Sequence, residues 1–270
     1  MEHRIASRGT AVVTGAATGI GAAICRRLAQ QGMDLVLVAR DAARLESAAE
    51  RLRAEHGVGA LVVPLDLSLP DAPAQLMERL HRDGIVVEVL VNNAGASLVG
   101  AVAETPPEKL SALVDLNARA VAVLTALTLP DMMSRGHGAV VNIASTAAHG
   151  PAPYSAAYAA AKAFVLSFTQ AVWAETRGTG VRVVAVSPGS VKTPMNPDRT
   201  PGQRSPDMFA DTVMKALRSN APSVVDGWAF AVQAFLFGRV LPVRVTARIT
   251  GRFFSGVGKL AKPPVHKRFS

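Results

Sequence analysis

Tyr158 and Lys162 stand four residues apart in an Ala-rich stretch that reads as helix, so a phenol and an ammonium fall on one face, one turn from each other. A free tyrosine titrates near about 10, and its phenolate is scarce at neutral pH unless a neighbouring positive charge favours it. The pair is therefore suited to moving a proton to or from an oxygen. The sequence holds two tyrosines, and only Tyr158 has a lysine four residues later; Tyr154 is followed at that spacing by Tyr158. Alone, such a pair also fits an ordinary surface contact.

A second constellation lies near the start. An apolar run ends in Thr14-Gly15-Ala16-Ala17-Thr18-Gly19-Ile20-Gly21 and passes straight into a helical stretch. Glycines there let the backbone approach a pyrophosphate at a helix N-terminus. The spacing is G-x-x-x-G-x-G, not the commoner G-x-G-x-x-G, and a glycine-rich turn can also be purely structural. The second strand ends at Ala39, where NAD-preferring sites carry an acid. Arg40 follows it, and a guanidinium suits the 2′-phosphate of NADP(H) through charge-assisted bonds. Asp41 is expected to offset part of that charge.

The elements needed to position these groups are legible as an alternation. Apolar runs at 11–14, 35–39, 61–64, 89–92, 139–144 and 181–187, with a short one at 224–225, predict strands. Helical periodicity at 19–31, 41–55, 72–82, 107–135 and 154–177 fills the intervals. The order predicts a Rossmann-like, doubly wound α/β sheet of about seven mainly parallel strands with helices on both faces. The stretch 188–205 reads as a long loop, 207–218 and 229–237 as helices, and 242–254 as a basic amphipathic segment, together a C-terminal helical extension. The whole is expected to be a single domain, with a core of 1–190, a substrate loop and helix at 190–222 and an extension at 223–270.

Composition bounds the setting. The chain of 270 residues has 49% apolar content, enough for one well-buried α/β core. Lone Cys25 cannot make an intrachain disulfide, and the charged N-terminus lacks a secretory pattern, so a cytoplasmic location is expected. The stretch 228–237, apolar but for Gln233, is about half the roughly 20 residues a bilayer crossing takes. The net charge of +9 is confined: from Lys215 onward ten Lys/Arg face one acid, Asp226. No metal is expected, because the histidines show no ligand spacing.

Along its length the sequence resembles the short-chain dehydrogenase/reductases, and the resemblance spans about Thr10 to Met195. The glycine turn matches the family's T-G-x-x-x-G-x-G, Asn92-Asn93-Ala94-Gly95 its N-N-A-G, and Tyr158 to Lys162 its Y-x-x-x-K. Asp66, followed by Leu67, occupies the place of the acid that contacts adenine. Asn117 lies in the long helix, Ser145 follows the fifth strand, and Pro188-Gly189, with Val191 and Thr193, resembles the segment flanking the nicotinamide carboxamide. Hydride transfer to a ketone builds negative charge on oxygen, which calls for a proton donor and a hydrogen-bond donor there. The resemblance implies Tyr158 as the acid, Lys162 as its partner and the holder of the nicotinamide ribose, Ser145 as the group orienting the substrate oxygen, and Asn117 as support for a water-linked proton path. It also implies NADP(H) as cofactor, in view of Arg40, and a homodimer or homotetramer built through the long helices.

The substrate side is expected to involve Ser145, Ala147, Pro153, Tyr154, Tyr158 and Met195, with Val191 nearby. These are mostly apolar or small and suit a hydrophobic ketone, acyl chain or steroid-like ring. His149 is expected to be a solvated loop residue. Reduction is the leading reading; oxidation of an alcohol, or a non-catalytic dinucleotide-binding regulator, are the alternatives. In the extension, Arg244, Arg248 and Arg252 recur every four residues, with Val243, Ile249, Phe253 and Phe254 elsewhere on the segment. A solvated cover, an anionic membrane and an acyl-carrier protein all fit this pattern. Nucleic acid does not, for want of a zinc motif or an aromatic stacking platform.

Overall fold

The computed structural model describes residues 9–193, 196 and 202–260. Seven strands form one parallel sheet in the order β3-β2-β1-β4-β5-β6-β7. They are β1 (Thr10–Thr14), β2 (Asp34–Ala39), β3 (Ala60–Pro64), β4 (Val87–Asn92), β5 (Gly138–Ile143), β6 (Val181–Ser187) and β7 (Ser223–Val225). The helices between them are α1 (Gly19–Ala29), α2 (Ala42–His56), α3 (Ala72–Arg82), α4 (Pro107–Val114), α5 (Ala120–Arg135), α6 (Ala156–Glu175) and α7 (Pro206–Ala216); α8 (Trp228–Phe235) and α9 (Val243–Leu260) follow β7. The fold is the Rossmann-like, doubly wound sheet that the alternation predicts.

Both faces of the sheet are buried, which explains why its strands are continuous apolar runs instead of alternating ones. Ala11, Val13, Leu35 and Leu37 pack on one side with Ile24, Leu28, Leu45 and Phe209 from α1, α2 and α7. Val12, Val36, Val38 and Leu90 turn to the other, against Leu76, Leu80, Leu124 and Val172 from α3, α5 and α6. Chain order reverses between β1 and β4, whose carboxyl ends lead into separate loops, the point of an open α/β sheet where a ligand crevice is expected. The glycine turn and the segment after Asn92 meet there.

Several predicted boundaries shift for identifiable reasons. α2 begins after Asp41 because the Asp41 carboxylate accepts the Arg44 backbone N–H at 3.0 Å, an N-cap. The predicted helix at 154–177 starts only at Ala156, since Tyr154 has φ of 66°, outside the helical region. The predicted helix at 107–135 is continuous in path but contains a π-helical turn, Asp115–Arg119. This run is long and apolar enough by length and composition to cross a membrane, and it serves as a core helix here, with Leu124 and Met132 buried. The predicted loop at 188–205 is partly ordered by pairing, with Arg204 N–H donating to the Ser190 carbonyl and Lys192 N–H to the Arg204 carbonyl.

Candidate active site

The glycine turn is shaped by contacts that exclude side chains. Gly15 has φ of 67°, and its N–H donates to the Val38 carbonyl at 2.7 Å, tying the turn to β2. A Cβ on Gly21 would lie 2.1 Å from the Gly15 carbonyl oxygen, backbone against backbone, so only glycine fits. Thr18 caps α1 in an extended conformation without a side-chain cap bond, and the first turn carries no acid. The opening N–H groups of an eleven-residue helix are thus unclaimed by any cap and face the crevice without a repelling carboxylate. Gly15, Thr18, Gly19, Ile20 and Gly21 therefore fit a pyrophosphate.

Thr14 and Asn93 knit the two sides of the crevice. Thr14 is buried; its hydroxyl donates to the Val91 carbonyl and accepts the N–H groups of Asn93 and Ala94, both at 2.9 Å. The Asn93 amide returns the contact by donating to the carbonyls of Thr14, at 2.9 Å, and Gly15, at 3.3 Å. The Thr14 hydroxyl thus faces protein and holds the loop that a ligand would meet. Asn92, one residue earlier, points into the core, where it donates to Asn142 at 2.8 Å, and Asn142 donates to Thr169 at 2.9 Å. This chain of buried amides and hydroxyls locks β4, β5 and α6 in register under the site.

At the far end of the crevice Arg40 is exposed, with its guanidinium 3.9 Å from the Asp66 carboxylate. The expectation that Asp41 offsets Arg40 is corrected: Asp41 holds Arg44 at 3.1 Å while it caps α2. Burial pushes the Asp66 carboxyl up, but bonds from the Ser68 hydroxyl and N–H, with the charge of Arg40, bring it below the ordinary range. Arg119 secures this end by donating to the carbonyls of Ser68, Leu69 and Pro70. Leu67 is buried in the core between them.

Asn117, Ser145, Tyr158 and Lys162 arrive from three elements and converge. The π turn sets Asn117 inward, fully buried, and its amide donates to the carbonyls of Ala96 and Leu113, each at 2.9 Å. Its Oδ1 is buried and lacks a hydrogen-bond partner. A Cβ on Gly95 would sit 2.7 Å from that oxygen and 3.6 Å from Lys162 Nζ, which shows how closely Asn117 and Lys162 approach. Lys162 is buried and donates to the Ile143 carbonyl at 2.8 Å, at the end of β5. Ser145 is extended, its Oγ accepts the Ala147 N–H at 3.1 Å, and it lies near enough to the Tyr158 phenol to influence its titration.

Two titrations are displaced in this cluster. Burial raises the Tyr158 phenol from its ordinary 10, and nearby Ser145 opposes this shift. Burial lowers the Lys162 ammonium to about 8. Lys162 Nζ lies 5.9 Å from the Tyr158 ring centroid and donates to Ile143, and the expected depression of the phenol by the ammonium is not among the influences on it. A raised pKa favours the protonated phenol, the form that donates a proton.

The segment from Ser145 to Tyr158 forms one wall of the cleft and carries Ala147, Pro153 and Tyr154. Tyr154 is the one non-glycine residue with positive φ among those described, and it is 43% exposed. Its strained backbone is held by the Gly100 N–H, which donates to its carbonyl at 2.8 Å. Opposite, the Pro188 carbonyl accepts the Thr146 N–H at 3.1 Å, joining the two segments. Val191 is buried, Thr193 makes a turn with Asn196, and Met195 lies outside the described residues. His149 is corrected from a solvated loop residue: its Nε2 is buried, and burial, then the nearby Arg239, lowers its pKa.

Four contributors carry no motif of their own. Phe230 from α8 packs so tightly on Gly189 that a Cβ there would meet its ring at 2.2 Å. Arg204 forms an ion pair with fully buried Asp226 at 2.7 Å, and Thr212 donates to the same carboxylate at 2.6 Å. This latch ties the end of the 188–205 segment to α7 and the start of the extension. In sequence, Asp226 is visible only as a lone acid in a basic region, and Phe230 only as one apolar residue among many.

The model of the short chain dehydrogenase family matches residues 9–204. An uncharacterised oxidoreductase of Staphylococcus saprophyticus is 35% identical over 77% of this chain and 90% of its own length. A very-long-chain 3-oxoacyl-CoA reductase of Anas platyrhynchos is 30% identical over 90% of this chain and 81% of its own. Among solved structures, a short-chain dehydrogenase from Sphingobium yanoikuyae in complex with NADPH superposes with a TM-score of 0.78 at 29% identity, covering 97% of this chain and all of that one. The sheet order, the crevice and these matches define an oxidoreductase with a Rossmann-like fold. The chain belongs to the short-chain dehydrogenase/reductase family.

Proposed function

We propose that this chain is an NADP(H)-dependent reductase of an apolar carbonyl compound. The observation that carries the proposal is the convergence of four groups: the Tyr158 phenol, Ser145 near it at the end of β5, the buried Lys162 ammonium one turn along α6 and the unpaired amide oxygen of Asn117. A bound nicotinamide supplies the hydride. Tyr158 gives its proton to the carbonyl oxygen as negative charge builds there, and Ser145 donates a hydrogen bond to the same oxygen. Lys162 supplies positive charge behind the phenol, and the free Oδ1 of Asn117 accepts a hydrogen bond from water on the path that restores the proton. Oxidation of an alcohol would start from the phenolate, the form that burial of Tyr158 disfavours.

Arg40, exposed beside Asp66, supports a preference for NADP(H), as does the NADPH-bound relative. Gly95, Pro188, Gly189, Val191 and Thr193 would border the nicotinamide. The small and apolar wall of Ala147 and Pro153, closed by Phe230, suits a ketone or 3-oxoacyl chain, in keeping with the 3-oxoacyl-CoA reductase among its relatives. Self-association through α5 and α6 is supported by Leu127, Met133 and Phe164, which remain exposed. A cytoplasmic chain of this kind is tested with NADPH or NADH and a panel of ketones, quinones and 3-oxoacyl thioesters. Apolar ketones or thioesters should consume NADPH in the wild type and not in Tyr158→Phe; equal rates in both would overturn the assignment.

A further inference from the structure

The extension after β7 has a surface unlike the rest of the molecule. Half of the strongly exposed large apolar side chains among the described residues lie on it, including Trp228 at 82%, Phe235 at 61% and Val243 at 70%. On α9 they form a row: Val245, Ile249 and Phe253 recur every four residues and all are exposed. Arg244, Arg248 and Arg252 each precede a member of that row, so a second exposed stripe runs beside the first, about 100° around the helix. From Trp228 to Leu260 the sequence contains no Asp or Glu.

The remaining face of α9 is the one that packs. Thr246 is buried, and the Thr250 hydroxyl donates to the Pro151 carbonyl at 2.7 Å. Thr246 crowds Gly150, and Pro153 lies 3.4 Å from where a Cβ on Gly251 would be. The helix thus rests on the wall between Ser145 and Tyr158, with its apolar and basic stripes turned outward.

We infer that α8 and α9 form a peripheral docking surface for an anionic lipid bilayer, with the apolar row at the acyl boundary and the arginines on headgroup phosphates. A merely solvated cover has no use for a row of Val, Ile and Phe in water. A second copy of the chain would set an arginine stripe against its like, and an acidic protein would satisfy the arginines but leave Trp228 and the apolar row uncovered. A bilayer matches both stripes at once. Because the same helices wall the cleft, docking would deliver apolar substrate from the membrane to the site; this consequence alone rests on the function proposed above.

The test uses the full chain, vesicles of phosphatidylcholine with or without phosphatidylglycerol, and Trp228 emission in a Trp173→Phe background. Co-sedimentation with the anionic vesicles is expected, weakening as salt rises from roughly 0.05 M to roughly 0.5 M, with a blue shift of Trp228 and quenching by brominated acyl chains. Ile249→Asp with Phe253→Asp should lower vesicle affinity at least about tenfold. Arg244→Glu with Arg248→Glu should abolish the preference for anionic lipid. Reduction of a water-soluble ketone by NADPH should be unchanged in both variants. Failure to bind anionic vesicles, wild-type binding by either double variant, or capture by an acidic protein without vesicle binding would overturn the inference. Vesicle binding without ketone reduction by the wild type would instead sink the reductase and leave the surface standing.

Discussion

Lys162→Met separates what the lysine costs the fold from what it contributes to chemistry. Burial lowers the ammonium from its ordinary 10.5 to about 8. The displacement corresponds to roughly 3 kcal/mol by which burial disfavours the charged form. Methionine fills similar space without charge but leaves the Ile143 carbonyl unpaired, a loss of about 1.5 kcal/mol. At pH 7 the variant should be more stable by about 2 kcal/mol, a rise in Tm of roughly 4–8 °C. Between about 8 and 10.5 the unfolded chain keeps the proton that folded wild type has released, so wild-type stability gains about 1.4 kcal/mol per pH unit relative to the variant. The advantage of Lys162→Met should therefore disappear, and reverse, by about pH 10. Melting both proteins without cofactor across this range, and taking the difference, cancels other titrations. A difference independent of pH, or a variant less stable at pH 7, would refute the reasoning.

Other expectations follow from single contacts. Arg40→Ala removes the exposed guanidinium near Asp66 and should raise the KM for NADPH about 10- to 100-fold while leaving NADH almost unchanged; equal losses would reject the 2′-phosphate contact. Gly21→Ala drives a methyl group into the Gly15 carbonyl and should abolish cofactor binding in a titration of intrinsic fluorescence, whereas normal affinity would contradict the tight turn. Arg204→Met strands the buried Asp226 carboxylate and should cost about 3–5 kcal/mol in urea unfolding. Asp226→Asn combined with it should recover much of that loss, and no recovery would place the cost elsewhere.

The sheet was legible because a doubly covered parallel strand has to be apolar on both faces, and runs such as 35–39 and 181–187 admit little else. The Tyr158/Lys162 pair was legible because it is local, set by helical spacing alone. The groups that hold the site were less so, because their partners are distant in sequence. Nothing near Asn117 announces a π turn, and nothing near Thr14 reveals that its hydroxyl serves the N–H groups of Asn93 and Ala94. Arg40 and Asp66 were each identified, but their approach depends on β2 and β3 lying side by side. The sign of the Tyr158 shift also eluded the sequence, because burial is a property of the packed molecule whereas the neighbouring charge is visible in the spacing.

The central claim is that Tyr158 protonates a carbonyl as hydride arrives from a nicotinamide. It is tested most directly with NADPH deuterated at the transferred position and an apolar ketone, following the alcohol by mass spectrometry. Wild type should place a single deuterium on the carbinol carbon, and Tyr158→Phe, folded and still binding NADPH, should do so about 10²- to 10⁴-fold more slowly. Product without deuterium, or an undiminished rate in the phenylalanine variant, would contradict it.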